Sequence, residues 1–436
     1  MRYIAGIAFF LFVGLVTGAT LLAYSAIAMV AVFAISHFLT KRWSESISVR
    51  RQLLTHEIEV GQRLQVGIAI SNTSGWYIPW IVIEDVLSLR SIRLPPKALE
   101  LDGSTIRLIM LAPMKQRLLT YGIRALRRGY YQIGPTIVES GDLLGLHRRY
   151  RVATAPHFLL VLPKLIPLAG YDVSSKRPIG EIQVSYRTME DPTLLSSIRE
   201  YQIGDSMNRV HWHATARTGK LHSKVFQPTS VAGAMIVLDM HRKSNPDHHE
   251  PNRTDLAVTA AASIAHTLYL MKQQFGLATN GRDAADRIRT EGWETDFRSR
   301  DAVLKTTQEE QINARLRPIV LPCNRGPQQF HEMHRMLARL ERTDGLELSE
   351  LLFETQSRLP RDASIIVIVQ QVDDETSLAL GMLARQGYAV SAIVNQYDED
   401  AVHHATAKLI SQRIPVFHLH DESSIPDLCQ KMLLKY

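Results

Sequence analysis

Ala234–Met240 reads AMIVLDM, an apolar run without polar alternation that closes on Asp239. A strand apolar on both faces belongs in the middle of a covered, mainly parallel sheet. The segments around it fit that reading. Thr254–Gln274 (TDLAVTAAASIAHTLYLMKQQ) carries a helical pattern, with Thr254 as its expected cap. Phe275–Thr279 follows as a short strand, and Ser364–Gln370 (SIIVIVQ), Tyr388–Val394 (YAVSAIV) and Val416–Leu419 repeat the apolar strand type. Helical stretches Gln328–Arg342, Glu347–Ser357, Glu375–Gln386, Glu399–Arg413 and Ser424–Leu434 come between or after them. Alternating strands and helices predict an α/β domain over residues 231–436. Gly281–Gly326 is charged and irregular and reads as a surface excursion.

Upstream, residues 43–155 have a different rhythm. Ser46–Leu53, Arg63–Ser71, Ile78–Val86, Thr105–Leu111 and Arg117–Ala125 alternate in part, as half-buried strands do. Glu59–Gly61, Asn72–Gly75, Leu101–Gly103 and Gly134–Pro135 supply turn signals. An antiparallel sandwich of immunoglobulin-like size is expected, without a disulfide, since no cysteine falls there.

Residues 3–39 contain no Lys, Arg, Asp or Glu. One membrane helix needs roughly 20 apolar residues. The run therefore predicts a hairpin of two short spans, turning near Gly18, within residues 1–42. Arg2 precedes the first span, and Lys41, Arg42, Arg50 and Arg51 follow the second. The positive-inside rule then places both ends in the cytoplasm, which implies an inner-membrane protein whose soluble domains face the cytosol. The run is too long for the apolar region of a cleaved signal peptide. Across 436 residues the net charge is +7 and the two cysteines, Cys323 and Cys429, form no metal-binding pair. With the charge spread out and no polybasic tail, a bias toward anionic lipid is expected more than nucleic-acid binding.

Residues 156–230 join the two soluble domains and hold a dense and varied mixture of polar groups. Arg199–Leu221 reads REYQIGDSMNRVHWHATARTGKL. Asp205 or Ser206 fits a helix N-cap, Met207–Arg217 a helix, and Gly219 its left-handed terminus. Arg209, His213 and Arg217 would then share one face. Arg199, Glu200 and Asp205 would pair with that face and pin the linker through buried or half-buried ion pairs. Catalysis by His211 or His213 with a carboxylate partner is the competing reading. No nucleophile elbow, HExxH or glycine-rich phosphate loop occurs in the chain, so a non-enzymatic role is expected.

These motifs resemble the domain of unknown function 58 family. The resemblance runs through the apolar N-terminus, RRGYYQIGP (Arg127–Pro135), SGDLLGL (Ser140–Leu146) and FLLVLPKLIPL (Phe158–Leu168). It is most specific at the signature positions Arg199, Glu200, Tyr201, Gly204, Asp205, Arg209, Trp212 and Arg217. It implies a multidomain α+β chain: a two-helix membrane anchor, an antiparallel β-sandwich and a C-terminal von Willebrand A-like α/β domain with a mainly parallel sheet. It also implies a membrane-bound adaptor or partner of a MoxR-type AAA+ ATPase in envelope-related assembly.

Von Willebrand A-like domains often hold Mg²⁺ through an Asp-x-Ser-x-Ser run, and hard cations favour such oxygens. Here the run is Asp239-Met240-His241-Arg242-Lys243, with both serine positions lost. The second aspartate falls on Gln370 or Gln371, with Asp373 and Asp374 a little further on. Asp239 is thus the one weak metal candidate, expected instead as an ion-paired residue beside Arg242 and Lys243. A metal-dependent enzyme or metal-gated ligand binder built on the α/β domain is the rival expectation; no cofactor is expected under the favoured one.

Overall fold

The computed structural model describes residues 9, 16, 20–92, 95–168, 189–202, 207–229, 233–292, 316–359 and 364–428. The chain divides into two compact units, Met1–Leu162 with Ala285–Glu310, and Pro163–Ala284 with Gln311–Tyr436.

The first unit opens with one long helix, α1 (Thr20–Ser46). Among the described residues it alone is long and apolar enough to cross a membrane. It does not stop at the end of the uncharged run but continues through Lys41 and Arg42 to Ser46. The reason is packing: Ser36, Thr40, Trp43 and Ser44 lie on one buried face, and Trp43 joins the core of the β domain. Most of the expected first span lies outside the described residues.

Ten strands follow: β1 (Ile47–Leu53), β2 (Glu57–Glu59), β3 (Arg63–Asn72), β4 (Ile78–Leu87), β5 (Leu99–Asp102), β6 (Ile106–Leu111), β7 (Gln116–Ala125), β8 (Gly129–Gly141), β9 (Arg148–Thr154) and β10 (His157–Leu162). They form one sheet of order β1-β3-β7-β5 and another of order β2-β10-β8-β4-β6, with β9 also on β8. All pairings are antiparallel except β10 with β2. Val66, Ile68 and Ile70 of β3 meet Ile81 and Ile83 of β4 in one core, as alternating strands of two facing sheets must. Two readings need correcting. Gly134–Pro135 is no turn; it lies inside β8, where Gly134 has φ +88. A Cβ there would collide with the Arg51 guanidinium, so the glycine makes room for a buried side chain instead of reversing the chain. The unit also extends past residue 155, because β10 pairs with β8.

In the second unit the hairpin β11 (Met189–Glu200) and β12 (His222–Thr229) precedes β13 (Gly233–Leu238). The short helix α2 (Trp212–Thr218) lies between the hairpin strands in sequence. Then come α3 (Asn252–Leu270), β14 (Gln274–Thr279), β15 (Arg282–Asp283), α4 (Ala284–Glu291, shared between the two units), β16 (Ile319–Asn324), α5 (Pro327–Arg339), β17 (Leu340–Glu341), α6 (Leu348–Thr355), β18 (Ser364–Val369), α7 (Asp374–Arg385), β19 (Val390–Val394), α8 (Glu399–Ser411) and β20 (Val416–His418). The sheet order is β16-β14-β13-β18-β19-β20. Only β16 runs antiparallel to its neighbour. Ala234, Ile236 and Leu238 face the cluster containing α3 and α5, whereas Met235 and Val237 face α6, α7 and α8. Helices on both faces are why these strands carry no polar alternation. Ile319–Asn324, assigned to an irregular excursion, is the antiparallel edge strand, and Thr254 sits inside α3 instead of capping it.

Candidate functional site

Asp239 directly follows β13, the strand at which the connections of this sheet diverge. The chain leaves β13 through α3 on one face, and leaves β18 through α7 on the other. Such a point leaves a crevice at the carboxyl ends of the strands, where open α/β sheets bind ligands. A pocket of about 80 Å³ lies there, lined by Asp239, His241, Lys243, Ser244, Asp373 and Thr376 among others. That is room for an ion, a few waters or the tip of one side chain, well under the several hundred Å³ of a typical small-molecule site.

Asp239 is buried, and burial pushes its carboxyl above the usual range against the pull of hydrogen bonds from Ser244 and Asn280. Asn280 donates Nδ2–H to Oδ1 at 2.9 Å, the His241 backbone N–H donates to Oδ1 at 3.1 Å, and the Ser244 hydroxyl donates to Oδ2. The expected ion pair is therefore replaced by neutral donors. Lys243 turns instead to Glu347, with Nζ 2.9 Å from Oε1 and 3.1 Å from Oε2. The physical cause is solvation: an exposed ammonium keeps its water beside Glu347, while a buried carboxylate is satisfied by fixed dipoles.

Ser244 and Asn280 are the residues that sequence reasoning missed. Ser244 stands one place beyond the Asp-x-Ser-x-Ser frame, so position counting passes over it. Asn280 arrives from the end of β14, 41 residues away. Asp373 reaches the pocket, yet its carboxylate accepts the Thr376 N–H at 2.8 Å as the N-cap of α7. Burial pushes its pKa up, but the Thr376 hydrogen bonds and the nearby Lys243 and Lys408 charges outweigh this and hold the carboxyl below the usual carboxylate range. Gln370 is buried, with neither amide atom hydrogen-bonded among the described residues, and supplies no charge. As arranged, the donors do not fit a divalent cation: Ser244 is committed to Asp239, Asp373 to its helix, and Lys243 and His241 line the same pocket. Among the described residues no group of three or more His, Cys, Asp or Glu is placed to hold a metal ion.

The signature segment forms the second candidate region. Gly204 and Asp205 lie outside the described residues. One long helix does not form; a 3₁₀ turn (Met207–Arg209) is followed by a bridge from Val210 to Ser223 and then by α2. Arg209 is thus not on the helix that carries His213 and Arg217. The cap of α2 is His211, whose Nδ1 accepts the Ala214 N–H at 3.0 Å, and Gly219 ends it at φ 71. Arg199, Glu200, Arg209, Trp212 and Arg217 are exposed, Trp212 by 64%, and Tyr201 is half-buried. Glu200 pairs with Lys220 at 3.3 Å, both largely in solvent. These residues do not make a buried network; a two-stranded hairpin with one short helix lacks the cover to bury them.

Comparison with known proteins places this region in context. Residues 197–299 match the family model described as "Protein of unknown function DUF58". The chain is 24% identical over 243 residues to the "Uncharacterized protein YeaD" of Bacillus subtilis (strain 168), over 55% of this chain and 57% of that protein. The match thus spans little more than half the length of that relative. Among solved structures, the CARDB domain of the PF1109 protein from Pyrococcus furiosus aligns with 27% of this chain and 87% of its own, at TM-score 0.19 and 12% identity. Proximal thread matrix protein 1 from the mussel byssus aligns over 45% of each chain, at TM-score 0.29 and 10% identity.

Proposed function

Because this chain belongs to the family of proteins of unknown function DUF58, we propose that it is a membrane-anchored protein–protein interaction module whose signature segment is the contact surface. One observation carries the reading: the signature residues Arg199, Glu200, Arg209, Trp212 and Arg217 are displayed, not buried. Trp212, Met207 and Leu221 are exposed among Arg199, Arg209 and Arg217. Exposed Trp and Arg together are the side chains that dominate protein interfaces. The partner that the family resemblance brings is a MoxR-type AAA+ ATPase, in envelope-related assembly or maturation. The apolar part of α1, followed within the same helix by Lys41 and Arg42, supports an inner-membrane anchor with cytoplasmic soluble domains, and the apolar residues before it support a second span. The mainly parallel sheet with Asp239 after its first strand supports a von Willebrand A-like second unit.

Affinity purification of the full chain from detergent-solubilised membranes with ATP present tests the role. The intact protein recovers a AAA+ ATPase, and Trp212→Ala combined with Arg217→Glu loses it while melting unchanged. Recovery that is indifferent to this pair would sink the signature segment as the contact surface.

A further inference from the structure

We infer that the β-sandwich of the first unit rests on the bilayer through a collar of three loops around the exit of α1. The inference rests on the membrane-anchor reading and extends it from a helix to a surface. Strand register places the loops at one end. Ile47 at the start of β1 pairs with Asn72 at the end of β3, Ile78 at the start of β4 pairs with Leu111 at the end of β6, and Ile81 pairs with Ser140 near the end of β8. The loops after β3, β6 and β8 therefore share the end at which α1 enters the sandwich. Thr73 donates its N–H to the Ser46 carbonyl at 2.9 Å, and Trp80 donates Nε1–H to the Asp142 carbonyl at 3.2 Å. These loops and the strand ends beside them display Trp76, Tyr77, Met110, Met114, Leu143 and Leu144, all more than half exposed.

Depth along α1 decides what covers them. A span of about 20 residues counted back from Lys41, the first charge after the apolar run, starts near Leu21. The loop after β8 touches α1 inside that span: His147 Nδ1 lies 3.2 Å from the Ser36 hydroxyl, and its ring centroid lies 4.4 Å from that of Phe33. At about 1.5 Å per residue, these contacts fall within about 12 Å of Lys41, at the depth of the near leaflet. The helix itself agrees, because polar Ser36 and Thr40 are covered by protein while Ile35 and Phe38 point outward, 58% and 57% exposed. Leu143 and Leu144, 77% and 66% exposed on that loop, are then set at acyl-chain level. Trp76 and Tyr77 sit nearer the headgroups, where such rings collect. Exposed Lys41, Arg42, Lys115 and Arg148 surround the collar and suit anionic headgroups.

Single nitroxide labels in the full chain, with Cys323 and Cys429 changed to alanine, test this in phosphatidylglycerol-containing vesicles. Labels go at Leu144→Cys, at Val32→Cys on α1, and at Arg63→Cys at the opposite end of the sandwich. The expected ratio of oxygen to nickel-chelate accessibility at 144 approaches that at 32 and exceeds that at 63. A lipid-like 32 with a water-like 144 overturns the collar and leaves the anchor standing. Water-like values at both overturn the anchor and the collar together. A site 144 shielded from both reagents means protein covers the loop, and also overturns the proposal.

Discussion

Arg51 and Asp85 in the sandwich, and Lys220 and Glu200 on the signature hairpin, are oppositely charged pairs that the fold treats in opposite ways. Both side chains of the first pair are wholly shielded from solvent. Arg51 donates to Asp85, to the Thr136 hydroxyl at 2.8 Å and to the Ala155 carbonyl at 3.0 Å, and meets His157 Nδ1 at 3.0 Å. Asp85 also accepts from the Tyr121 hydroxyl at 2.6 Å and from Thr136 at 2.9 Å. The second pair is 73% and 66% exposed and shares one contact of 3.3 Å. Burial of charge follows the supply of surrounding donors and acceptors, not the local density of charged residues. Four partners of Arg51 drawn from β4, β8 and the β9–β10 region, with Tyr121 of β7 on Asp85, can enclose this pair; a lone hairpin cannot.

The sharpest way to break the contrast is to remove one partner of the buried pair. Asp85→Ala takes away the carboxylate that Arg51 and Tyr121 share, leaving the Arg51 charge buried and unpaired, and should cost about 3–5 kcal/mol of sandwich stability, read by chemical denaturation in detergent. A loss no greater than that of a surface substitution would mean the network is not holding the two sheets. Next in size is the signature surface: Trp212→Ala should weaken partner binding by about tenfold or more, as buried interface tryptophans do, with the melting temperature unmoved. Lower melting with intact binding would return the segment to a structural role.

A smaller effect sharpens the buried side through pH. Desolvation, then the Arg51 and His56 charges, hold His157 below its ordinary value of 6.5, so the fold prefers the neutral ring. That preference stabilises the sandwich above pH 6.5 and is lost as the pH falls below 6.5 toward the lower folded value. His157→Gln should flatten the pH dependence of melting over that window; an unchanged slope assigns it to other groups. At the strand-end pocket, calorimetry with Mg²⁺ should give no stoichiometric heat for the native chain. His241→Ser with Lys243→Ser removes a cation and adds two hydroxyl oxygens, and should create weak binding that Asp239→Ala abolishes. The smallest effect belongs to the exposed pair, where Lys220→Ala should leave melting unchanged within error, since solvent screens such contacts.

What was legible in the sequence was periodicity. AMIVLDM and SIIVIVQ could only be strands covered on both faces, and five sandwich strands appeared within a residue of their ends because their alternation is local. β8 was misread because Gly134–Pro135 signals a turn to any local rule, whereas the glycine is there to admit Arg51 from a distant strand. Ser244 and Asn280 were invisible for a related reason: they act on Asp239 through loop geometry that no spacing encodes. Composition and pattern by themselves determined the apolar helix, the β and α/β halves, and the signature that identifies the family. Only the tertiary structure decided which charges are buried. Burial depends on hydrogen-bond partners assembled from remote strands, and those meet only after the chain has folded.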